Sequence, residues 1–275
     1  VKEEKAFLSR LRVLLAPFRP FGLSERSSGD GVYELFWGDT VWFRFRFSRP
    51  RIFKVAIVID DIGYNPGIAE KFLSLPVKLN VAVLPYAPYG PSLAHQAVRQ
   101  GKEVLIHFPM EALSQGENVG ERFLLRVGMS EEDVARMVRE AFERVPGARG
   151  LNNHKGSKAT QNRRLMELLA VHLRERNVYF LDSLTTPRSL AFRVMREKGI
   201  PAFSRDVFLD GETDVAYVLE KLQETLAIAR KRGFAIAIGH PKEVTYEALR
   251  KFFSKPHPEY EFVFLSEILD ERSEE

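Results

Sequence analysis

The chain has 275 residues, with 41 Lys and Arg, 37 Asp and Glu, 45% hydrophobic residues and no cysteine. That length holds one sizeable α/β domain with a small appendage, and the absence of cysteine excludes disulfides, thiolate zinc sites and cysteine nucleophiles. A net charge of +4 with no Lys/Arg run interleaved with aromatics speaks against nucleic-acid binding, and no apolar run reaches the roughly 18 residues of a membrane span.

The start at Val1 rather than Met predicts that an upstream segment was removed. If that segment was a signal, the location is extracytoplasmic or periplasmic. Residues 2–16 carry Phe7, Leu8, Leu11, Leu14 and Leu15 at helical spacing, and 24–31 reads as a turn-rich loop. Residues 33–47 alternate, with Val41, Phe43, Phe45 and Phe47 on one face and Trp42, Arg44 and Arg46 on the other, as in a strand or hairpin. The break at Ser48-Arg49-Pro50-Arg51 sets a boundary, giving a helix-plus-hairpin appendage over 1–50 and a main domain over 51–275.

Beyond that boundary, short apolar runs alternate with amphipathic stretches. Strands are predicted at 55–59, 79–84, 103–106, 150–153, 178–181, 201–204, 234–238 and 261–265. Helices are predicted at 66–75, 91–100, 130–145, 162–176, 188–198, 214–232 and 245–253, the third with Ser130 as N-cap. Continuous Val/Ile/Ala strands are buried on both faces, as parallel strands covered by helices are. Seven to eight βα units in order point to a closed or nearly closed (β/α) barrel, with an open doubly wound sheet as the alternative.

Polar residues recur where those strands end. Asp60-Asp61, His107, Asn152-Asn153-His154, Asp182-Ser183, Arg205-Asp206 and Gly239-His240 follow six of the strands. In parallel α/β folds that rim gathers ligands and catalytic groups. Any one of these has an ordinary explanation as a cap, a turn former or a hydrogen-bonded half-buried side chain. Six on one rim favour a site, and adjacent Asp60 and Asp61 repel unless a cation or other partner offsets them. His95, His172 and His257 lie elsewhere and are left out.

Two imidazoles and a carboxylate suit Zn²⁺ or a similar divalent metal, and Asp61, His107 and His154 fit as ligands from three strands. Asp60 is then placed to act as general base and His240 as general acid. Asp182, Arg205 or Asp206 could orient either group.

Ile59-Asp60-Asp61-Ile62-Gly63, Ile106-His107-Phe108-Pro109-Met110-Glu111, Asn152-Asn153-His154-Lys155-Gly156-Ser157, Leu181-Asp182-Ser183 and Ile238-Gly239-His240-Pro241 resemble the motifs of the divergent polysaccharide deacetylase family, in order. The resemblance implies a distorted (β/α) barrel of the carbohydrate-deacetylase (NodB) type that removes acetyl groups from N- or O-acetylated sugars with a divalent metal. It also implies the leading acid as base (Asp60), the second acid and the histidine of the second motif as metal ligands (Asp61, His107), and the late histidine as acid (His240). Mainstream members carry a second histidine where this chain has Glu111, and their Arg-x-Pro-Tyr motif is absent. His154 is the replacement ligand in this reading, with Glu111 as the competing candidate.

The expected function is deacetylation of a cell-wall or extracellular glycan. A non-catalytic barrel that binds a glycan or cell-envelope partner is the alternative from another class, and a metallohydrolase for another C–N or ester bond is a third. No phosphate cradle and no Gly-x-Ser-x-Gly elbow are present, which argues against nucleotide hydrolysis and serine esterase chemistry.

Overall fold

The computed structural model describes residues 2–27, 32–46, 51–118 and 123–274, and the chain divides into two compact units, Val1–Arg51 and Ile52–Glu275. The first unit is a helix, α1 (Lys2–Leu15), a 3-10 turn ending at Gly22, and a three-stranded antiparallel sheet of β1 (Leu23–Ser27), β2 (Val32–Trp37) and β3 (Thr40–Arg46). Strand β1 stands where a turn-rich loop was expected. Its only buried residue is Leu23, so this edge strand has no alternating apolar signal and is held by backbone pairing to β2. Phe47, residues 28–31 and the break at 48–50 lie outside the described residues.

The second unit opens with β4 (Phe53–Ile62), α2 (Pro66–Leu73), β5 (Asn80–Val83), α3 (Gly90–Arg99), β6 (Glu103–Met110) and α4 (Glu131–Arg144). It continues through β7 (Ala148–Lys155), α5 (Arg163–Arg174), β8 (Tyr179–Asp182), α6 (Ala191–Glu197), β9 (Ala202–Ser204) and β10 (Val207–Phe208). It closes with α7 (Val215–Arg232), β11 (Phe234–Gly239), α8 (Glu243–Phe253), β12 (Tyr260–Phe262) and α9 (Leu265–Glu274). Four of these helices, α2, α4, α5 and α7, start where the sequence offers a side-chain acceptor. Asn65, Ser130, Asn162 and Asp214 each cap a first turn, and each satisfies a backbone N–H that has no helical partner.

Every pairing in this unit is parallel, in the order β10-β11-β4-β5-β6-β7-β8-β9, with β12 beside the start of β4. The two ends of that path are neighbours in sequence. Arg205 donates its backbone N–H to Asp182 O and Asp206 donates to Ile236 O, so one dipeptide spans from β8 to β11. The sheet thus curls into the (β/α) barrel that the pattern predicted, in the distorted form that the resemblance implied. Among the described residues no helix is long and apolar enough to cross a membrane.

The barrel strands are buried on two faces with a period of two. Ile57 and Ile59 face the helices, whereas Ala56, Val58, Ala82, Leu105, Leu181, Phe203, Ile236 and Ile238 form a separate interior cluster with Ile268 of α9. Asn80 accepts the N–H of Leu265, and Glu103 accepts from Tyr179 Oη (2.7 Å) and from Ser266 N, so polar side chains fix the chain entering α9. That turn is why the strand expected at 261–265 stops at Phe262.

Candidate active site

The same period carries the site. Asp60 follows Ala56 and Val58, His107 follows Leu105, and His240 follows Ile236 and Ile238, so each points into the barrel at its upper end. Strands β4, β6 and β7 run three, four and two residues past their predicted ends, which puts Asp60, His107 and His154 in the last rungs of the sheet. Asp61 should point outward. It is turned in because the β4–β5 register slips between Ile59 and Ile62 and Asp61 takes a left-handed backbone, φ 56°. Among the described residues, four non-glycine residues have positive φ, and Asp61, Lys155 and Leu184 of these line one cavity of about 490 Å³. Backbone strain concentrated at one cavity marks it as the candidate site.

One oxygen of Asp61 and one ring nitrogen each of His107 and His154 lie within 4.8 Å of one another. Asp61 Oδ1 is 3.0 Å from His107 Nε2 and 2.9 Å from His154 Nδ1, and those two nitrogens are 3.0 Å apart. Asn152 decides the protonation. Its Nδ2 donates to Asp60 Oδ1 (2.7 Å), because a carboxylate only accepts, so its Oδ1 faces His107 Nδ1 at 2.8 Å and that nitrogen carries the proton. In the neutral ring, Nε2 is then a lone pair directed at a carboxylate oxygen that is buried and receives no aligned hydrogen bond. In that form lone pairs about 3 Å apart repel; a second proton on Nε2 relieves the contact with Asp61, whereas a cation at the focus engages all three donors together. The donor set therefore fits a divalent metal.

Burial opposes charge on His107, but the Asp60 and Asp61 carboxylates outweigh it and push the ring up to about 9. Burial also opposes ionisation of Asp61, yet the two imidazoles hold its carboxyl far below the usual range. Asp60 is different. Burial dominates there and raises its pKa against the pull of His107 and His240.

His240 stands across the cavity, with Nε2 3.9 Å from Asp61 Oδ2. Its Nδ1 meets Asp210 Oδ1 at 2.8 Å and its backbone N–H donates to Asp210 Oδ2 at 2.7 Å. Burial lowers the basicity of His240, and the Asp210 carboxylate more than restores it, so the ring's pKa is raised. Thr245 donates to the same carboxylate, which the buried hydrogen bonds hold ionised.

A sequence model of the divergent polysaccharide deacetylase family matches residues 57–269. The chain belongs to the divergent polysaccharide deacetylases. The protein YibQ of Escherichia coli K12, which is uncharacterized, is 38% identical over 218 residues, covering 79% of this chain and 68% of its own. An uncharacterized protein of Haemophilus influenzae Rd is 39% identical over 199 residues, covering 72% of this chain and 70% of its own. The crystal structure of an uncharacterized protein from Agrobacterium tumefaciens C58 shares the fold, with a TM-score of 0.70 at 23% identity over 75% of this chain and 84% of that one.

Within this member of the family, four residues expected near the site have other partners. Glu111 accepts from Lys158 Nζ and Val127 N, both at 2.8 Å, and stands apart from the three converging donors. Asp182 lies in phase with Phe180, which faces the helices, and accepts from Ser189 Oγ (2.6 Å), Leu184 N and Phe192 N. Asp206 accepts from Ile236 N (2.9 Å) and pairs with Arg232, so it holds β11 and not His240. Arg205 reaches the cavity, where its guanidinium donates to Ser183 O (2.8 Å) and Leu184 O (3.1 Å) and fixes the strained Leu184. The partners that do orient the central groups, Asn152 for Asp60 and Asp210 for His240, were not singled out by sequence reasoning. Asn152 was legible by parity with His154. Asp210 lies in the loop after the two-residue strand β10, where no pattern points to it.

Proposed function

We propose that this chain is a metal-dependent deacetylase of an acetylated cell-wall or extracellular glycan. The observation that carries the reading is the convergence of Asp61, His107 and His154 at about 3 Å, with Asp60 and His240 on either side. Asp61, His107 and His154 would hold the cation, and two imidazoles with one carboxylate match Zn²⁺ best. Such a cation, when bound, supplies Lewis acidity to the attacking water and to the acetyl carbonyl.

Asp60 accepts the proton from that water as its oxygen bonds to the carbonyl carbon. Its raised pKa brings it nearer to neutrality, as a base requires, and Asn152 fixes its orientation. His240, protonated and turned by Asp210 so that Nε2 faces the cavity, donates its proton to the departing amine as the C–N bond breaks. On an O-acetyl substrate the same proton goes to the departing alcohol oxygen. The products are acetate and the free amine or hydroxyl.

The test is acetate release by the Zn²⁺-loaded protein from acetylated chito-oligosaccharides and peptidoglycan fragments. Activity lost on chelation and in Asp60→Asn is the expected result. Metal-replete protein that binds these glycans equally well with and without Asp60 and yields no acetate from any of them would identify a non-catalytic binding barrel instead.

A further inference from the structure

The protein's net charge resides entirely in its first unit. Residues 1–51 hold ten Lys and Arg and six Asp and Glu, a balance of +4, and residues 52–275 hold 31 of each sign. Lys5, Arg12 and Arg19 line an open groove along α1 and the 3-10 turn after it, and Arg10 is exposed on the same helix.

The same unit is too small to hide its apolar side chains. Among its described residues, Leu8, Leu23 and Leu35 are the buried hydrophobics, whereas Val13, Leu14 and Phe21 are 73, 69 and 71% exposed. On the hairpin, Trp42 and Phe43 are 63 and 62% exposed. Pairing of β2 with β3 slips so that Phe43 faces Leu35 and Val41 faces Phe36, which leaves Trp42 as the extra residue of a bulge. A bulge swings such a side chain out of the regular ladder. Trp37 and Trp42, the only two tryptophans in the sequence, meet edge to face with centroids 5.9 Å apart.

Excess cations in the same unit as exposed indole, phenyl and aliphatic side chains match the chemistry of an anionic lipid interface. Indole rings favour the headgroup level, aliphatic side chains gain by leaving water, and Lys and Arg are drawn to the phosphates. A sugar chain would stack on the indoles but gains little from Val13 or Leu14. Asp39, in the hairpin turn, limits the depth to the headgroup region, because a carboxylate is costly in hydrocarbon.

We propose that the N-terminal unit docks the protein on an anionic lipid surface through its hairpin aromatics, with its surplus of Lys and Arg facing the lipid phosphates.

Because both tryptophans lie in the hairpin, the intrinsic tryptophan emission of the full chain reports on this unit alone. Adding vesicles of phosphatidylglycerol in phosphatidylcholine should shift the emission to the blue and protect it from acrylamide, with both effects weakened by salt. Phosphatidylcholine alone should bind about tenfold less, as should Trp42→Ser/Phe43→Ser and, independently, Lys5→Glu/Arg10→Glu in co-flotation. Circular dichroism of each variant checks its fold, and the emission of the unmodified chain needs no variant. Emission unmoved by anionic vesicles, or equal binding to neutral ones, overturns the proposal. So does a stable dimer whose tryptophans are already shielded from acrylamide, because the occupant is then a second copy.

Discussion

Asp210 grips His240 twice, at the ring through Nδ1 (2.8 Å) and at the main chain through the backbone N–H (2.7 Å). One carboxylate therefore sets the tautomer, the orientation and the charge of the residue proposed as general acid. Asp210→Asn keeps the shape but removes the charge that raises the His240 pKa. A raised histidine pKa keeps the acid form present up to a higher pH, so its loss moves the alkaline limb of kcat/KM to lower pH. A pH–rate series should show that displacement with a fall of about 10²–10³-fold near neutrality.

Asn152 acts on the base in the opposite sense. Its hydrogen bond lowers a pKa that burial has raised, so Asn152→Leu should raise the Asp60 pKa further. The base works only when ionised, and the acid limb of kcat/KM should therefore move to higher pH. The same substitution frees the His107 ring, and metal affinity should fall by about 10- to 100-fold on titration against a chelator.

Metal binding should release a proton. Without a cation, His107 is pushed up to about 9 by Asp60 and Asp61, so at neutral pH it holds a second ring proton that a ligand nitrogen must give up. Calorimetric titration with Zn²⁺ in buffers of different ionisation heat should give close to one proton released near pH 7, declining as pH rises through 9. A heat independent of buffer near neutrality would falsify the protonation scheme.

Glu111 and His154 make opposite predictions. His154→Ala should lose bound metal on elemental analysis, whereas Glu111→Gln should retain it. The latter instead weakens the ties to Lys158 and Val127 and should lower stability by about 1–2 kcal/mol in denaturant unfolding. Metal lost from Glu111→Gln and kept in His154→Ala would reverse the assignment.

Gly63 lies two residues beyond Asp61 with φ at +149°, and a Cβ there would meet the Cβ of Ala87 at 2.5 Å. Gly63→Ala should cost about 1–3 kcal/mol by thermal unfolding, with a loss of activity as the loop carrying Asp61 shifts.

Much of this barrel was legible because burial on two faces writes itself as unbroken Val, Ile and Ala runs, and because polar residues interrupt those runs at their ends. Counting parity along each strand would have gone further. It assigns Asp60, His107, Asn152 and His240 to the interior and turns Asp182 towards the helices with Phe180. Parity fails at Asp61, where a register slip and a left-handed backbone bring two consecutive acids to one side. It is silent on Asp210, which a loop delivers. Strand β1 was hidden for a different reason, since an exposed edge needs no apolar period to pair its backbone.

The position of β4 also governs how the molecule can be made. The strand bearing both acids is the first of the barrel to be synthesised, yet one of its edges waits for β11, where Phe234 pairs with Lys54 across 180 residues of chain. Until then the apolar run from Val55 to Ile59 offers unpaired amides to any other extended chain. A nascent protein stalled before Phe234 carries every donor of the proposed metal cluster while that edge of β4 stays open, which makes the last 42 residues a condition of solubility during synthesis.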